Sequence, residues 1–276
     1  MLSCVHDPLI LRHFSDPSYE RHSSSNSSSS VLEVLNNIAT DHRFLDISST
    51  SITDILQKRE SAIIDHWSSC ALIPSTSPSP ADLRNALRQA QVAGAVLALH
   101  HASSASTFGG SDSAALLIPL LTSDALRVLL PTMPERFVLP LLRQWLLLTI
   151  LTYIQAGRPR IDVSKLNQDM QSHNTKAAPS WKHVNYTILS TLTSSANPTG
   201  GRLAQAILAL KTAEETWHSE LGAADLEIAS EDAGTLSQQE LEREQEVRRN
   251  WWLKVAASLT TSTAGAQQDS GQAGTV

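Results

Sequence analysis

From Val31 onward the apolar positions recur every three or four residues, the spacing of a helix with one buried face. In VLEVLNNIATDHRF that face holds Val31, Leu32, Val34, Leu35 and Ile38. The stretch from Ile52 to Trp67 repeats the pattern with Ile52, Ile55, Leu56, Ile63, Ile64 and Trp67. Pro74, Pro78 and Pro80 then interrupt the chain in a Ser/Pro-rich loop. Ser79 reads as an N-cap, with Pro80 at the first helical position and Asp82 in the first turn. The helix that follows runs through AGAVLALHHA, apolar almost all round, which predicts a central, buried element.

Gly109-Gly110 ends the next loop, and Ala114 to Leu130 is helical again, bent or restarted near Pro119. Pro131 and Pro134 turn the chain into Leu139 to Asp162, LPLLRQWLLLTILTYIQAGRPRID, which reads as one long buried helix. Gly157 suits the left-handed conformation that closes a helix, and Pro159 prevents continuation. Trp181 to Leu192 is a shorter amphipathic helix, and Asn197 to Gly201 a turn. Leu203 to Trp217 places Leu203, Ala206, Ile207, Leu210 and Ala213 on one side. Ala223 to Thr235 reads as a loop, and Gln238 to Leu259 as a helix charged at first and apolar at last. No segment alternates as a strand does, and no repeat of fixed period occurs. The prediction is an all-α, bundle-like domain of several helices over residues 31–260. It is preceded by a Ser-rich lead (1–30, with seven serines and one asparagine from Ser23 to Ser30) and followed by a Gly/Ser/Gln tail (261–276), both expected to be disordered.

Composition narrows the function classes. Hydrophobic residues make up 41% of the 276 and charged residues 17%, so a sizeable core is expected. The formal charge of −6, with no basic run, argues against a nucleic-acid partner, because phosphate binding needs clustered Lys and Arg. Two cysteines, Cys4 and Cys70, are too few for a disulfide framework and fit a reducing compartment. His6, Asp7 and Pro8 break any secretory apolar region, and the apolar run Trp145–Ile154 falls short of the roughly 20 residues that span a bilayer. A cytoplasmic protein with no membrane partner is expected. The Rossmann and Walker glycine loops, H-E-x-x-H and G-x-S-x-G are all missing from the sequence.

Several residues carry candidate chemistry. His100 and His101 are adjacent on an apolar helix, about 100° apart, so the pair does not suit one metal and no metal site is expected. One is a candidate proton shuttle; the alternative is a core histidine satisfied locally. Asp41 and Arg43 read either as a local ion pair or as an anchor for a substrate anion. Arg143, set in LPLLRQWLLL, needs partners if buried, and either ties helices together or lines a cavity. Arg158 and Arg160 suit a helix C-terminus, with phosphate binding as the other reading. Trp251, Trp252 and Cys70 read as core residues.

The order of several short motifs resembles the questin oxidase-like family, in its later part. These are Asp41-x-Arg43-Phe44 at the end of a helix, Leu-Leu-Arg143 running into Gly157-Arg158-Pro159, SWKHVNYTIL, and NWWLKVAASLT. The resemblance implies an oxidoreductase that opens or oxygenates aromatic polyketides such as anthraquinones, in a Baeyer–Villiger-like reaction using NADPH and O₂. It implies a pocket that polarises a carbonyl, in which Arg143 and His101 are the residues expected to act. Two segments depart from the family pattern. SDSAALLIPLL lacks the histidine expected there, and GGRLAQAILAL lacks a His and a Lys. With no counterpart of the family's His-rich first half, the chain is expected to be a truncated or diverged relative. The rival reading is a helical interaction module without catalysis.

Overall fold

The computed structural model describes residues 30–45, 47, 51–70, 79–104, 115–162, 165, 180–194, 198–217 and 250–272. Among them are eight α-helices and no strand: α1 (Val31–Thr40), α2 (Ile52–Ser68), α3 (Pro80–Ser104), α4 (Ile118–Leu129), α5 (Glu135–Gln155), α6 (Trp181–Ser194), α7 (Pro198–Trp217) and α8 (Trp251–Gln272). The protein is all-α, as the periodicity predicts. Short 3₁₀ turns follow α1 (His42–Phe44) and α4 (Leu130–Thr132). The Ser-rich lead up to Ser29, the Gly109-Gly110 loop and the Ala223–Thr235 loop lie outside the described residues.

The helix starts follow local chemistry. Ser30 Oγ accepts the Glu33 amide at the head of α1. At the head of α3, Ser79 Oγ accepts the Asp82 amide while Asp82 accepts the Ser79 amide, a reciprocal cap in which Asp replaces the usual Glu. α4 restarts at Ile118 after a 3₁₀ turn, with Pro119 in its first turn, where a missing N–H costs nothing. Three bounds differ from the predicted ones. α5 begins at Glu135 rather than Leu139, with Pro140 inside the helix. Pro198 opens α7 rather than a turn, as proline does at a first helical position. α8 continues past Leu259 to Gln272, over much of the expected tail.

The chain divides into two compact units. The first takes the described residues up to Gly94 together with Ile118–Ile161. Its centre is α5, which packs against α1, α2 and α4. Leu142, Trp145, Leu146, Leu147 and Ile150 to Ile154 are all buried, and burying each large apolar side chain contributes about 1.5–3 kcal/mol. The threonines inside this run satisfy themselves locally: Thr149 Oγ donates to Trp145 O and Thr152 Oγ to Leu148 O, each at 2.9 Å. Two indoles tie helices together. Trp67 Nε1 on α2 donates to Arg143 O at 2.9 Å, and Trp145 Nε1 donates to Pro119 O on α4 at 3.1 Å. Gly94 on α3 meets the backbone of α4 directly, since a Cβ there would lie 2.6 Å from Leu120 Cα.

The second unit takes Ala95–Leu117 and the residues from Asp162 on. In it α8 packs on α6 and α7, and α6 packs on α7. Trp251, Trp252 and Val255 of α8 are buried, as are Leu203, Ala206, Ile207, Leu210 and Ala213 of α7, the side the sequence predicts. The indole of Trp181 donates to the carboxylate of Glu214, joining α6 to α7. Two helical stretches, Ala115–Thr132 and Glu135–Gln155, are long and apolar enough to cross a membrane by length and composition. The second exceeds the predicted ten-residue run because α5 starts earlier. Its apolar window is 61% buried, against 39% for the first.

Candidate functional site

The densest polar cluster of the first unit forms where α1 ends against the last turn of α2. Asp41 leaves α1 in extended conformation and caps the following turn, its Oδ1 accepting the Arg43 amide at 2.8 Å. That turn brings the Arg43 side chain back over the same carboxylate. Arg43 Nε donates to Asp41 Oδ2 at 2.9 Å, and its second terminal nitrogen lies 2.8 Å from the same oxygen. Arg43 also donates to Asp65 Oδ2 at 2.6 Å. His66 Nε2 completes the shell of Asp41 Oδ2 at 2.8 Å.

The electrostatics follow from this packing. The Asp41 side chain is 10% exposed and that of His66 13%, whereas Asp65 is 59% exposed. The Arg43 guanidinium holds the Asp41 carboxyl far below the usual carboxylate range, against the opposing effect of burial, and His66 adds to the lowering. Arg43 is in turn held protonated, first by Asp41 and then by Asp65. An ionised carboxylate only accepts, so His66 Nε2 is the donor and carries the hydrogen. Nδ1 of His66 has no hydrogen-bond partner among the described residues. The Phe44 ring stands 5.9 Å from the imidazole at 41°.

A second segment of chain closes over the same corner. α5 ends in a Schellman motif: Gly157 N donates to Ile154 O and Arg158 N to Tyr153 O, with Gly157 at φ 87°. Gly157 is therefore the left-handed residue the sequence predicts. Arg158 is also left-handed, φ 56°, which is unfavourable for a residue with a Cβ. This conformation accompanies contacts from its side chain, which donates to Ile38 O and Asp41 O at the end of α1. The buried Tyr153 hydroxyl donates to Pro159 O at 2.7 Å, and Asn36 Oδ1 accepts the Ile161 amide at 3.0 Å. Burial raises the Tyr153 phenol, keeping it a donor. Tyr153→Phe should lower unfolding free energy by about 1 kcal/mol, the usual value of one such bond. Urea unfolding at neutral pH measures it, and an unchanged midpoint would show that the bond contributes nothing.

Two motifs more than a hundred residues apart, Asp41-x-Arg43-Phe44 and Gly157-Arg158-Pro159, thus meet in one corner. The local-pair reading of Asp41 and Arg43 holds, extended by His66 and Asp65. The Arg158 side chain binds carbonyls at the C-terminus of α1, not that of the helix it follows. Arg143 is half-buried on α5, and its backbone carbonyl accepts the Trp67 indole. His101 belongs to the second unit, half-buried, with a buried Nδ1 that has no hydrogen-bond partner among the described residues. Burial lowers the pKa of its imidazole and of His100, favouring the neutral rings. Cys70 is buried. His66 escapes a reading of the sequence, since nothing local links it to Asp41, 25 positions away. The available signal was Asp65-His66-Trp67, three polar-headed side chains closing an apolar helix.

A family model described as questin oxidase-like matches residues 2–199, which is 198 of 276 residues and includes every residue of the corner. The match takes in the Ser-rich lead and stops before α8. No curated protein and no solved structure matches the chain. By this match the chain belongs to the questin oxidase-like family, a family of oxidoreductase type.

Proposed function

We propose that this protein oxidises an aromatic polyketide, such as an anthraquinone, at the expense of NADPH and O₂. The observation that carries this reading is the family match over residues 2–199. In the Baeyer–Villiger form of the reaction, one oxygen atom enters between a ketone carbon and its neighbour. The second oxygen leaves as water, and NADPH with a proton supplies the two electrons. The low cysteine count, two in 276 residues, supports a reducing, cytoplasmic location.

The corner around Asp41 offers no ready cradle for the phosphates of NADPH. Arg43 is committed to two carboxylates, and Arg158 to two backbone carbonyls. Gly157 closes the C-terminal end of α5, where the helix presents carbonyls and partial negative charge rather than amides. NADPH is therefore not held at this corner. What the chain's own residues offer is a carboxylate held ionised and an imidazole oriented by it. A hydrophobic wall, Phe44, stands beside them.

The test uses the full chain with NADPH, air and a set of hydroxylated anthraquinones. The expected result is NADPH oxidation that requires the aromatic compound and O₂, with a product heavier by one oxygen atom. A monodisperse protein that neither binds nor consumes NADPH with any of them would leave the non-catalytic reading in its place.

A further inference from the structure

We propose that His66 is an acid/base residue whose Nδ1 takes the proton of a phenolic hydroxyl on the aromatic substrate; this rests on the reading of the substrate class just given. The geometry has the parts such a base needs. A general base must present a lone pair and be oriented by a third group. Asp41 fixes the Nε2 side of the ring at 2.8 Å, which leaves the lone pair on Nδ1. Nδ1 makes no hydrogen bond among the described residues, and the side chain keeps 13% of its surface open. Asp41 does not drift, because Arg43 and a backbone amide hold both of its oxygens. The buried Phe44 ring packs beside the imidazole, 5.9 Å away.

The step balances without an oxidant. The substrate O–H bond breaks, its electron pair stays on oxygen as a phenolate, and the proton joins Nδ1. Asp41 touches His66 directly, Arg43 binds that carboxylate, and Asp65 joins the cluster through Arg43. Two negative charges against one positive leave the cluster able to compensate an imidazolium. Asp41 acts here as a positioning residue.

A purely structural His66 would be replaced well by glutamine, whose amide N–H also reaches a carboxylate but whose side chain cannot take a proton. The experiment therefore compares the wild-type chain with His66→Gln, using alizarin, a dihydroxyanthraquinone whose visible band moves to longer wavelength when a hydroxyl ionises. It is run at a pH where the free dye is neutral. The expected result is the phenolate band in wild-type complexes and its loss in His66→Gln, with dye still bound and melting unchanged. For a compound that is turned over, kcat should fall about 100-fold or more with KM little altered. A neutral dye band in the wild type, no dye binding, or the same band in His66→Gln would each overturn the assignment. The phenolate band without NADPH consumption would sink the proposed reaction and keep the base. Turnover that ignores His66→Gln would do the reverse.

Discussion

Replacing Gly94 with alanine will destabilise the protein by about 3 kcal/mol, at the upper end of what overpacking costs. The expectation runs against local propensity. Gly94 lies inside α3, where alanine is normally better than glycine by about 1 kcal/mol. The opposing effect is contact. A Cβ at Gly94 would sit 2.6 Å from Leu120 Cα, 2.8 Å from Leu120 N and 3.1 Å from the Pro119 carbonyl carbon. These are backbone atoms, so no rotamer change removes the clash, and α3 and α4 must separate. Separation would loosen α4 from α5, where Trp145 Nε1 holds Pro119 O. Gly201, in the first turn of α7 with nothing within 4 Å, is the control. Gly201→Ala should gain up to about 1 kcal/mol from propensity alone. Urea unfolding of the two variants beside the wild type gives both signs. If Gly94→Ala matches or exceeds the wild type, the close approach of α3 to α4 is wrong.

The two glycines show where the sequence is readable and where it is not. Glycine's preference for a helix end is local chemistry, and Gly157 at the close of α5 is legible from the chain alone. Gly94 sits in an apolar run and looks like any small core residue; only the path of α4 reveals its role. The helices themselves are legible because an apolar face must recur at helical spacing, and Val31, Leu32, Val34, Leu35 and Ile38 are all buried. Their starts are legible where a capping residue marks them, as Ser79 does. They are misread where proline stands, since Pro140 and Pro198 punctuate a loop as readily as they occupy a helix. The polar corner is the least legible part. Asp41 and Arg43 are two residues apart and invite pairing, but His66 joins them only because α2 folds back on α1. Arg158 reaches Ile38 O across 120 positions, a contact that no spacing rule contains. Arg143, a charge among leucines, lies half-buried on α5, and its carbonyl accepts the Trp67 indole.

The same corner sets an acid limit on stability. Asp41→Asn keeps the shape and removes the charge, so it should cost about 2 kcal/mol at neutral pH, the scale of hydrogen bonds to a charged group. The part owed to Arg43 is reduced by solvent, since that side chain is 38% exposed, and Asp65 at 59% exposed adds little. The pH dependence has a definite sign. In the folded protein the Asp41 carboxyl lies well below its ordinary pKa of 3.8, because Arg43 and His66 bind the ionised form. A lowered folded pKa means that the unfolded chain binds the proton more tightly. The contribution of Asp41 is therefore complete above pH 3.8 and is lost as pH falls below it toward the folded value. Wild type and Asp41→Asn should differ most at neutral pH, and their unfolding free energies should converge as acid protonates Asp41. Paired urea titrations from neutral pH down to the strongest acid the fold survives measure this convergence. A constant gap across that range would mean that the charge on Asp41 is not what holds α1 to α2.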